Sequence, residues 1–138
     1  MGEHHYKSNL RDIEFNLFEL LRIQETTLGK GEFTSMDEAT VRDTLKGVAL
    51  LAENELAKSF VDADRVGLKF DGEGNVTLPQ SLKDSLQAWF DNDWHRLEVP
   101  ERLGGFGGPP SVCWSAFEMV SGANPAAAFY QFGTFMAR

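Results

Sequence analysis

The chain has 138 residues, of which 42% are hydrophobic and 25% are charged. A chain of this size and composition forms a globular domain, which excludes intrinsic disorder and collagen-like repeats. Its 21 acidic and 13 basic residues give a net charge of −8, so nucleic acid and anionic membranes are unfavourable partners.

Cellular location is indicated by what the sequence lacks. No apolar run approaches the roughly 20 residues of a membrane span, and the polar first residues show no secretory signal. The single cysteine, Cys113, excludes an internal disulfide framework and fits a reducing compartment. We therefore expect a cytoplasmic protein without a membrane span.

The first predicted helix covers residues 11–28. Apolar residues at i, i+4, i+7 and i+8 form one face, Ile13, Leu17, Leu20 and Leu21. Phe15 and Phe18 lie off this face and predict a second apolar contact. Glycines 29 and 31 are suited to ending the helix.

A longer amphipathic helix is predicted over residues 36–64. Its apolar residues recur at helical spacing, namely Val41, Leu45, Val48, Ala52, Leu56 and Phe60. Ser35 and Glu38 have the spacing of a capping box, so we expect Ser35 to cap the helix.

Residues 68–78 predict a small β-hairpin between helices. The segments LKF and VTL flank the turn-rich segment DGEGN. Arms this short do not sustain an independent sheet, so the predicted class is all-α. Pro79 suits the first turn of the next helix, which extends to about residue 92.

The carboxy-terminal third predicts a long loop followed by two helices. Residues 101–110 contain four glycines and two prolines. Ser111 is expected to cap a helix to about residue 121, and Asn124 to cap a last helix that begins at Pro125 and continues to Arg138. That helix is apolar on all sides and needs burial on several of them. Because nothing in the chain follows it, we expect the domain to be incomplete at its carboxy end.

Histidine and cysteine side chains have stronger structural than chemical interpretations. His4 and His5 could bind a metal, but adjacent histidines in a terminal arm are usually solvated, and no metal site is predicted. His95, which aspartates flank, could act as an acid or base, but a partly buried histidine at a helix end is the better interpretation. Cys113 is interpreted as a small buried apolar group.

The segment GGFGG at residues 104–108, the glycine loop, could approach a phosphate through its backbone N–H groups. It lacks the lysine of a P-loop and the GxGxxG fingerprint, so a loop that needs positive φ is the better interpretation. The carboxylate pairs Asp91 with Asp93 and Glu53 with Glu55 are interpreted as solvated surface. Core packing explains the aromatic residues after position 105 better than a ligand pocket does. These residues alone give no activity.

Four segments follow one another in a recognisable series. They are YKSNLRD at 6–12, SFVDAD at 59–64, LEVPERLGG at 97–105, and EMV with GANP at 118–125. The third is similar to the Pro-Glu-x-x-Gly-Gly turn of acyl-CoA dehydrogenases. In their order and spacing, the four segments resemble the amino-terminal helical region of a large bacterial member of that family.

The resemblance implies an FAD-dependent enzyme of fatty-acid β-oxidation, which removes hydrogens from the α and β carbons of an acyl-CoA thioester. In that family a glutamate takes the α proton and flavin N5 accepts the β hydrogen as hydride. The resemblance stops inside the first helical domain, before the β domain and the carboxy-terminal bundle that carries the glutamate. No catalytic or cofactor-binding residue is therefore assigned, and the chain alone is expected to bind no FAD and to be inactive. By position, the residues expected at the acyl tunnel are Ala128, Gln131, Phe132 and Phe135.

The resemblance also implies an organisation and partners. We expect residues 1–34 to form a leader arm and first helix, and residues 35–138 to form the incomplete helical domain. Acyl-CoA would bind to the complete enzyme, which is expected to be a homo-oligomer or to unite this chain with the remaining dehydrogenase domains. The alternative is a free-standing helical binding module that pairs with a dehydrogenase subunit. Recruitment to nucleic-acid binding is disfavoured by the charge of −8.

Overall fold

The computed structural model describes residues 5–130 of the chain. Its α-helices are, in order, α1 (Leu10–Glu14), α2 (Ile23–Thr26), α3 (Glu38–Leu51), α4 (Phe60–Arg65), α5 (Gln80–Asp91), α6 (Pro110–Ala123) and α7 (Pro125–Phe129). A hairpin of β1 (Lys69–Phe70) and β2 (Val76–Thr77) lies between α4 and α5. The predicted all-α class is therefore confirmed. Within the same residues, no helix combines the length and apolarity needed to cross a bilayer.

The single helix predicted over residues 11–28 is wrong, because the chain breaks it. After α1 the backbone continues as a π-type turn (Phe15–Leu20) and changes direction at Arg22, whose φ is 51°. A π-type turn bonds residue i to i+5 and rotates the following side chains away from the α-helical face. The predicted apolar face is accordingly divided into a buried and an exposed pair, Ile13 and Leu17 against Leu20 and Leu21.

The long helix predicted over residues 36–64 is confirmed as one continuous helical segment with changes of pitch. α3 passes into a π-type turn (Ala52–Leu56) and a 3-10 turn (Ala57–Ser59) before α4 begins. Most of its predicted apolar face is buried, at Val41, Leu45, Val48, Ala52 and Leu56. This segment, residues 38–65, lies at the centre of the fold and is here named the central segment.

Two predicted helix caps are wrong. The cap of α3 is Asp37, whose Oδ1 accepts the N–H of Thr40 at 2.7 Å. The Ser35 hydroxyl instead donates to the carboxylate of Glu101. α6 begins at Pro110, so Ser111 lies inside the helix. Proline at the first position lacks the N–H that a cap would satisfy, which removes the need for a serine there.

The predicted hairpin is confirmed. Its strands are antiparallel, with two facing pairs, Lys69 with Thr77 and Phe70 with Val76. Asp71 Oδ1 closes the turn by accepting the N–H groups of Glu73 and Asn75. All four strand residues are exposed, so the hairpin adds nothing to the core. Pro79 directly precedes α5 and does not occupy its first turn.

The core lies where α3 and the π-type turn that follows it pack on α6, with α5 and α7 beside them. The fully buried side chains of α6 include Val112, Met119 and Val120. The predicted start of the last helix at Asn124 and Pro125 is confirmed. α7 is described as far as Phe129, and its predicted continuation to Arg138 lies outside the described residues.

The amino-terminal arm, residues 5–9, lies against the central helices. The Tyr6 ring packs so closely on Gly122 that a Cβ there would lie 2.5 Å from Tyr6 Cε2. The backbone N–H of Ser8 donates to Glu53 Oε1 at 2.8 Å. The contacts that hold the arm thus include a ring contact that requires glycine in α6, the stacking of His5 on Phe60, and a hydrogen bond to a carboxylate.

Arg42 attaches the segment after the arm to α3. Its guanidinium contacts the carboxylates of Glu14 at 2.7 Å and Glu38 at 2.8 Å. It also lies 4.1 Å from the centroid of the buried Phe18 ring. The hydrogen bond to Glu38 is the main cause that raises the pKa of Arg42. One cation therefore links α1, the π-type turn and α3.

Candidate functional site

The predicted tunnel residues begin on α7. Ala128 is buried, with an exposed fraction of 4%, and its N–H donates to the carbonyl oxygen of Asn124 at 3.1 Å. Gln131, Phe132 and Phe135 lie outside the described residues. The position of Ala128 is therefore known, whereas the proximity of the four residues to one another stays a prediction.

α7 has two different sides. Ala127 and Ala128 are buried against the helices that pack on α7, which are α6, α4 and α5. Phe129 and Tyr130 are 71% and 46% exposed. The helix predicted to be apolar on all sides is thus covered on its alanine side by the described residues, and its aromatic side faces outward.

Asn124 determines where α7 begins. Its backbone is extended, with φ −158° and ψ 99°, and its Oδ1 accepts the N–H groups of Ala126 at 3.0 Å and Ala127 at 3.3 Å. An amide oxygen at this position satisfies N–H groups that have no partner inside the helix. The other end of the same amide, Nδ2, donates to Ser59 Oγ at 2.8 Å and to the carbonyl oxygen of Leu56 at 3.3 Å.

Ser59, Ser85 and Asn124 form a buried polar group, here named the Asn124 cluster. Their exposed fractions are 0%, 3% and 0%. Ser85 Oγ lies 2.8 Å from Ser59 Oγ and 2.8 Å from the carbonyl oxygen of Glu55. Every side chain of the cluster has a hydrogen-bond partner, so burial leaves none of them unsatisfied.

Sequence reasoning did not find this cluster, because its members are far apart in the chain. Ser85 and Ser59 are separated by 26 positions, and Asn124 and Ser59 by 65. One signal was available. Ser59 and Ser85 each follow a buried leucine by three positions, which places a polar residue on an apolar helical face. A serine there indicates a buried hydrogen-bond partner from another element.

The glycine loop is closed on itself. Each backbone N–H from residue 104 to residue 108 donates to a carbonyl oxygen of residues 96–101. Gly104 and Gly107 have φ values of 82° and 61°, as the loop interpretation expects. At Gly105 a Cβ would lie 1.9 Å from the carbonyl oxygen of Val99. With these donors already used, the loop does not form a phosphate cradle.

Arg96 holds the glycine loop in place. Its Nε donates to the carbonyl oxygen of Gly104 at 2.8 Å, and its guanidinium carbon lies 5.5 Å from the centroid of the Phe106 ring. Its Nη1 contacts the carboxylate of Asp93 at 3.3 Å. Asp93 itself has a φ of 58°, so Arg96 links a left-handed turn to the loop.

A groove of about 700 Å³ lies beside this loop. Its apolar surface includes Phe33, Val99 and Leu103, and acidic side chains such as Glu32 and Glu98 also line it. Ala128, the one predicted tunnel residue that the structure describes, does not line this groove. Its acidic character disfavours the phosphates of a coenzyme A molecule.

The interpretations of His95 as a partly buried side chain and of Cys113 as a buried one are confirmed. His5 stacks on Phe60 with ring centroids 4.1 Å apart, and His4 lies outside the described residues. His95 is partly buried against Phe90, at 5.0 Å between ring centroids. Cys113 is buried, and its thiol donates to the carbonyl oxygen of Gly108 at 3.3 Å.

The carboxylate pairs also have structural partners. Glu55 contacts Lys58, Asp93 contacts Arg96, and Asp91 accepts from Gln87. Hydrogen bonds in a helix cap and a turn lower the pKa values of Asp37 and Asp71, and burial raises the pKa of Tyr6. Between residues 5 and 130, no group of three histidine, cysteine or acidic residues could hold a metal ion.

The described residues define an all-α protein whose candidate site is the buried alanine side of α7, next to the Asn124 cluster. No protein-family model matches the chain. The broad-specificity linear acyl-CoA dehydrogenase FadE5 of Mycobacterium tuberculosis is 43% identical to it over 135 residues, which are 97% of the chain. The chain spans 22% of that relative's length. It is thus homologous to part of a large acyl-CoA dehydrogenase.

Proposed function

We propose that the chain is the amino-terminal portion of an FAD-dependent acyl-CoA dehydrogenase. It would contribute part of the acyl-tunnel wall and an assembly surface, and it would be inactive alone. The observation that supports this proposal is 43% identity along 97% of the chain with a dehydrogenase of which it spans 22%. The division into a leader at residues 1–34 and a helical domain from residue 35 belongs to the same proposal.

The tunnel assignment depends on the small side chains of α7. Ala128 is buried and ends at Cβ, so the helix backbone lies close to whatever packs on that side. Because α4, α5 and α6 cover the alanine side of α7, the acyl chain would run beyond Ala128, and the aromatic residues Phe132 and Phe135 would limit its length. In this proposal α7 binds and orients the alkyl part of the substrate and takes no part in proton or hydride transfer.

Acyl-CoA dehydrogenases use FAD, which supplies the hydride acceptor when bound. The glycine loop does not fit the flavin phosphates, because its backbone N–H groups are all bonded to carbonyl oxygens. We therefore assign no flavin contact to this part of the chain. Mixing the purified chain with FAD should leave no bound flavin absorbance after gel filtration.

The assembly surface is supported by exposed apolar side chains in the stretch that runs from α4 through the hairpin. Five of them are between 49% and 66% exposed, Val61, Val66, Leu68, Phe70 and Val76. Exposed apolar side chains grouped in this way are typical of a surface that another protein or domain covers. The free-standing module that pairs with a dehydrogenase subunit is supported by the same side chains.

The mass of the native gene product separates these two candidates. The proposal expects a product several times larger than the 15.4 kDa of this chain. A native product of that small mass, purified with a dehydrogenase subunit, would support the binding module. A small product that oxidises acyl-CoA without a partner would contradict both.

The tunnel assignment has its own test in the native product. Ala128→Phe should raise KM for long acyl-CoA substrates more than for short ones, because the added ring does not fit beside the packed helices and displaces the end of α7. Phe135→Ala should have the opposite effect and broaden tolerance for long chains. Ala126→Phe, at a partly buried position of the same helix, is the control. An unchanged chain-length preference in both variants would contradict the placement.

A further inference from the structure

The Asn124 cluster connects three elements that are distant in the chain. Ser59 ends the 3-10 turn before α4, Ser85 lies within α5, and Asn124 precedes α7. All three residues are buried, and their side chains are neutral. Their hydrogen bonds are therefore shielded from water and from salt, and they are stronger than equivalent bonds at the surface.

The side-chain amide of Asn124 bonds to α7 on one side and to the central segment on the other. Its Oδ1 accepts N–H groups of α7, and its Nδ2 donates to Ser59 and to the Leu56 carbonyl oxygen. Because the amide is planar, its donor and acceptor directions are fixed relative to each other. A rotation of α7 away from the segment would break one of the two sets of bonds.

The cluster lies where the central segment changes pitch. Glu55 and Leu56, whose carbonyl oxygens receive side-chain hydrogen bonds, are in the π-type turn, and Ser59 is the last residue of the following 3-10 turn. Such changes inside a helix are frequent at functional sites. Here Ser85 of α5 and Asn124, the residue before α7, donate side-chain hydrogen bonds to backbone carbonyl oxygens of the π-type turn.

We propose that Ser59, Ser85 and Asn124 are positioning residues that fix the direction of α7. They thereby place Ala128, which lies one helical turn after Asn124 and bonds to its carbonyl oxygen. The consequence for the acyl tunnel rests on the proposed function, whereas the direction of the helix does not. The residues contact no reacting atom in this proposal and act only through the placement of α7.

The experiment measures the distance between α7 and α3 in the full chain by pulsed electron paramagnetic resonance. Spin labels are attached at Asp43→Cys on the exposed side of α3 and at Tyr130→Cys after α7, in a Cys113→Ala background. The variants are Asn124→Ser, which keeps an oxygen to cap α7 but removes the Nδ2 donor, and Ser59→Ala. The matched control is Ser115→Ala, whose hydroxyl bonds only within α6.

We expect one narrow distance distribution in the parent and in Ser115→Ala. Asn124→Ser and Ser59→Ala should shift it or broaden it about twofold, because α7 gains orientations. An unchanged distribution in both variants, accompanied by lower resistance to urea, would overturn the proposal and leave the cluster a general stabilising role.

A third variant, Ser85→Ala, tests the proposal if Asn124→Ser and Ser59→Ala do not fold. Ser85→Ala removes a hydroxyl that bonds to Ser59 and Glu55 but not to α7. It should give a smaller broadening of the same distribution, and no broadening would again count against positioning. The measurement involves no acyl-CoA. Its failure therefore leaves the tunnel assignment intact, and a negative result with Ala128→Phe leaves the positioning intact.

Discussion

The two ends of the described chain are attached to the same helices by different kinds of contact. The amino-terminal arm and α1 depend on a ring seated on Gly122 and on ion pairs of Arg42, whose side chain is 33% exposed. α7 depends on the neutral and buried Asn124 cluster. Salt and acid weaken exposed ionic contacts and have little effect on buried neutral ones. The amino-terminal end should therefore respond to solution conditions, and α7 only to changes in the cluster.

The largest expected effect is at Asn124. Asn124→Ala removes the two cap bonds of α7 and both bonds to the central segment, and it leaves buried polar groups without partners. The free energy of unfolding should fall by about 3 kcal/mol, measured by urea denaturation. The control is Asn92→Ala, which removes an exposed bond to Ala88 and should cost less than about 0.5 kcal/mol. Equal losses of free energy in Asn124→Ala and Asn92→Ala would show that burial of the cluster adds nothing to stability.

Gly122→Ala is expected to lower the free energy of unfolding when Tyr6 is present and to raise it when Tyr6 is absent. In the wild-type chain, Gly122→Ala should cost about 1–2 kcal/mol, because the methyl group displaces the Tyr6 ring. In a Tyr6→Ala background the same substitution should stabilise by about 0.5–1 kcal/mol, because alanine is favoured over glycine in a helix. Urea denaturation of the four chains gives the coupling energy of this double-mutant cycle. A coupling energy near zero would mean that the arm does not hold Tyr6 on α6.

A smaller, salt-dependent effect is expected at Arg42. Arg42→Gln removes the contacts with Glu14 and Glu38 and should lower the free energy of unfolding by about 1 kcal/mol at low salt. The difference should diminish as salt is added, because screening weakens the contacts in the parent. Lys46→Gln, which removes a more exposed pair with Asp43 at 3.6 Å, is the control and should have almost no effect. A loss at Arg42 that is independent of salt would point to packing on Phe18 as its cause.

The smallest expected effect is a pH dependence of the free energy of unfolding that comes from Asp37, the cap of α3. The hydrogen bond from the Thr40 N–H holds the pKa of Asp37 below its usual range. A carboxylate with a lowered folded-state pKa contributes stability that is present above its unfolded pKa, and this is lost as the pH falls through the folded value. Asp37→Asn keeps the cap acceptor without a charge, so its free energy of unfolding should fall less than that of the wild type below about pH 4. Urea denaturation over a pH series measures the difference. If the free energies of unfolding of the two proteins changed with pH in parallel, Asp37 would not be the source of the pH dependence.

Several features could be predicted from the sequence, because they depend on neighbouring residues. Periodicity indicated the long central helix, turn residues indicated the hairpin at residues 68–78, and the pair Asn124 and Pro125 indicated the start of α7. The glycine loop was correctly interpreted as a loop with positive φ. The relation to acyl-CoA dehydrogenases was also visible, since it rests on the order of short segments in the chain. Each of these signals is complete within about ten residues or in simple order along the chain.

Other features were decided by contacts between distant residues. The break at Arg22 and the cap at Asp37 contradicted equally plausible local patterns, because packing and a competing contact of Ser35 determined the outcome. The Asn124 cluster depends on helices that meet only after folding, and Ser59 gives no local sign of the asparagine that it will contact. The sequence by itself therefore determined most of the helical elements and the similarity to part of an acyl-CoA dehydrogenase. The tertiary structure decided which polar groups are buried together, because a buried hydrogen bond forms only where packing has removed water from both partners.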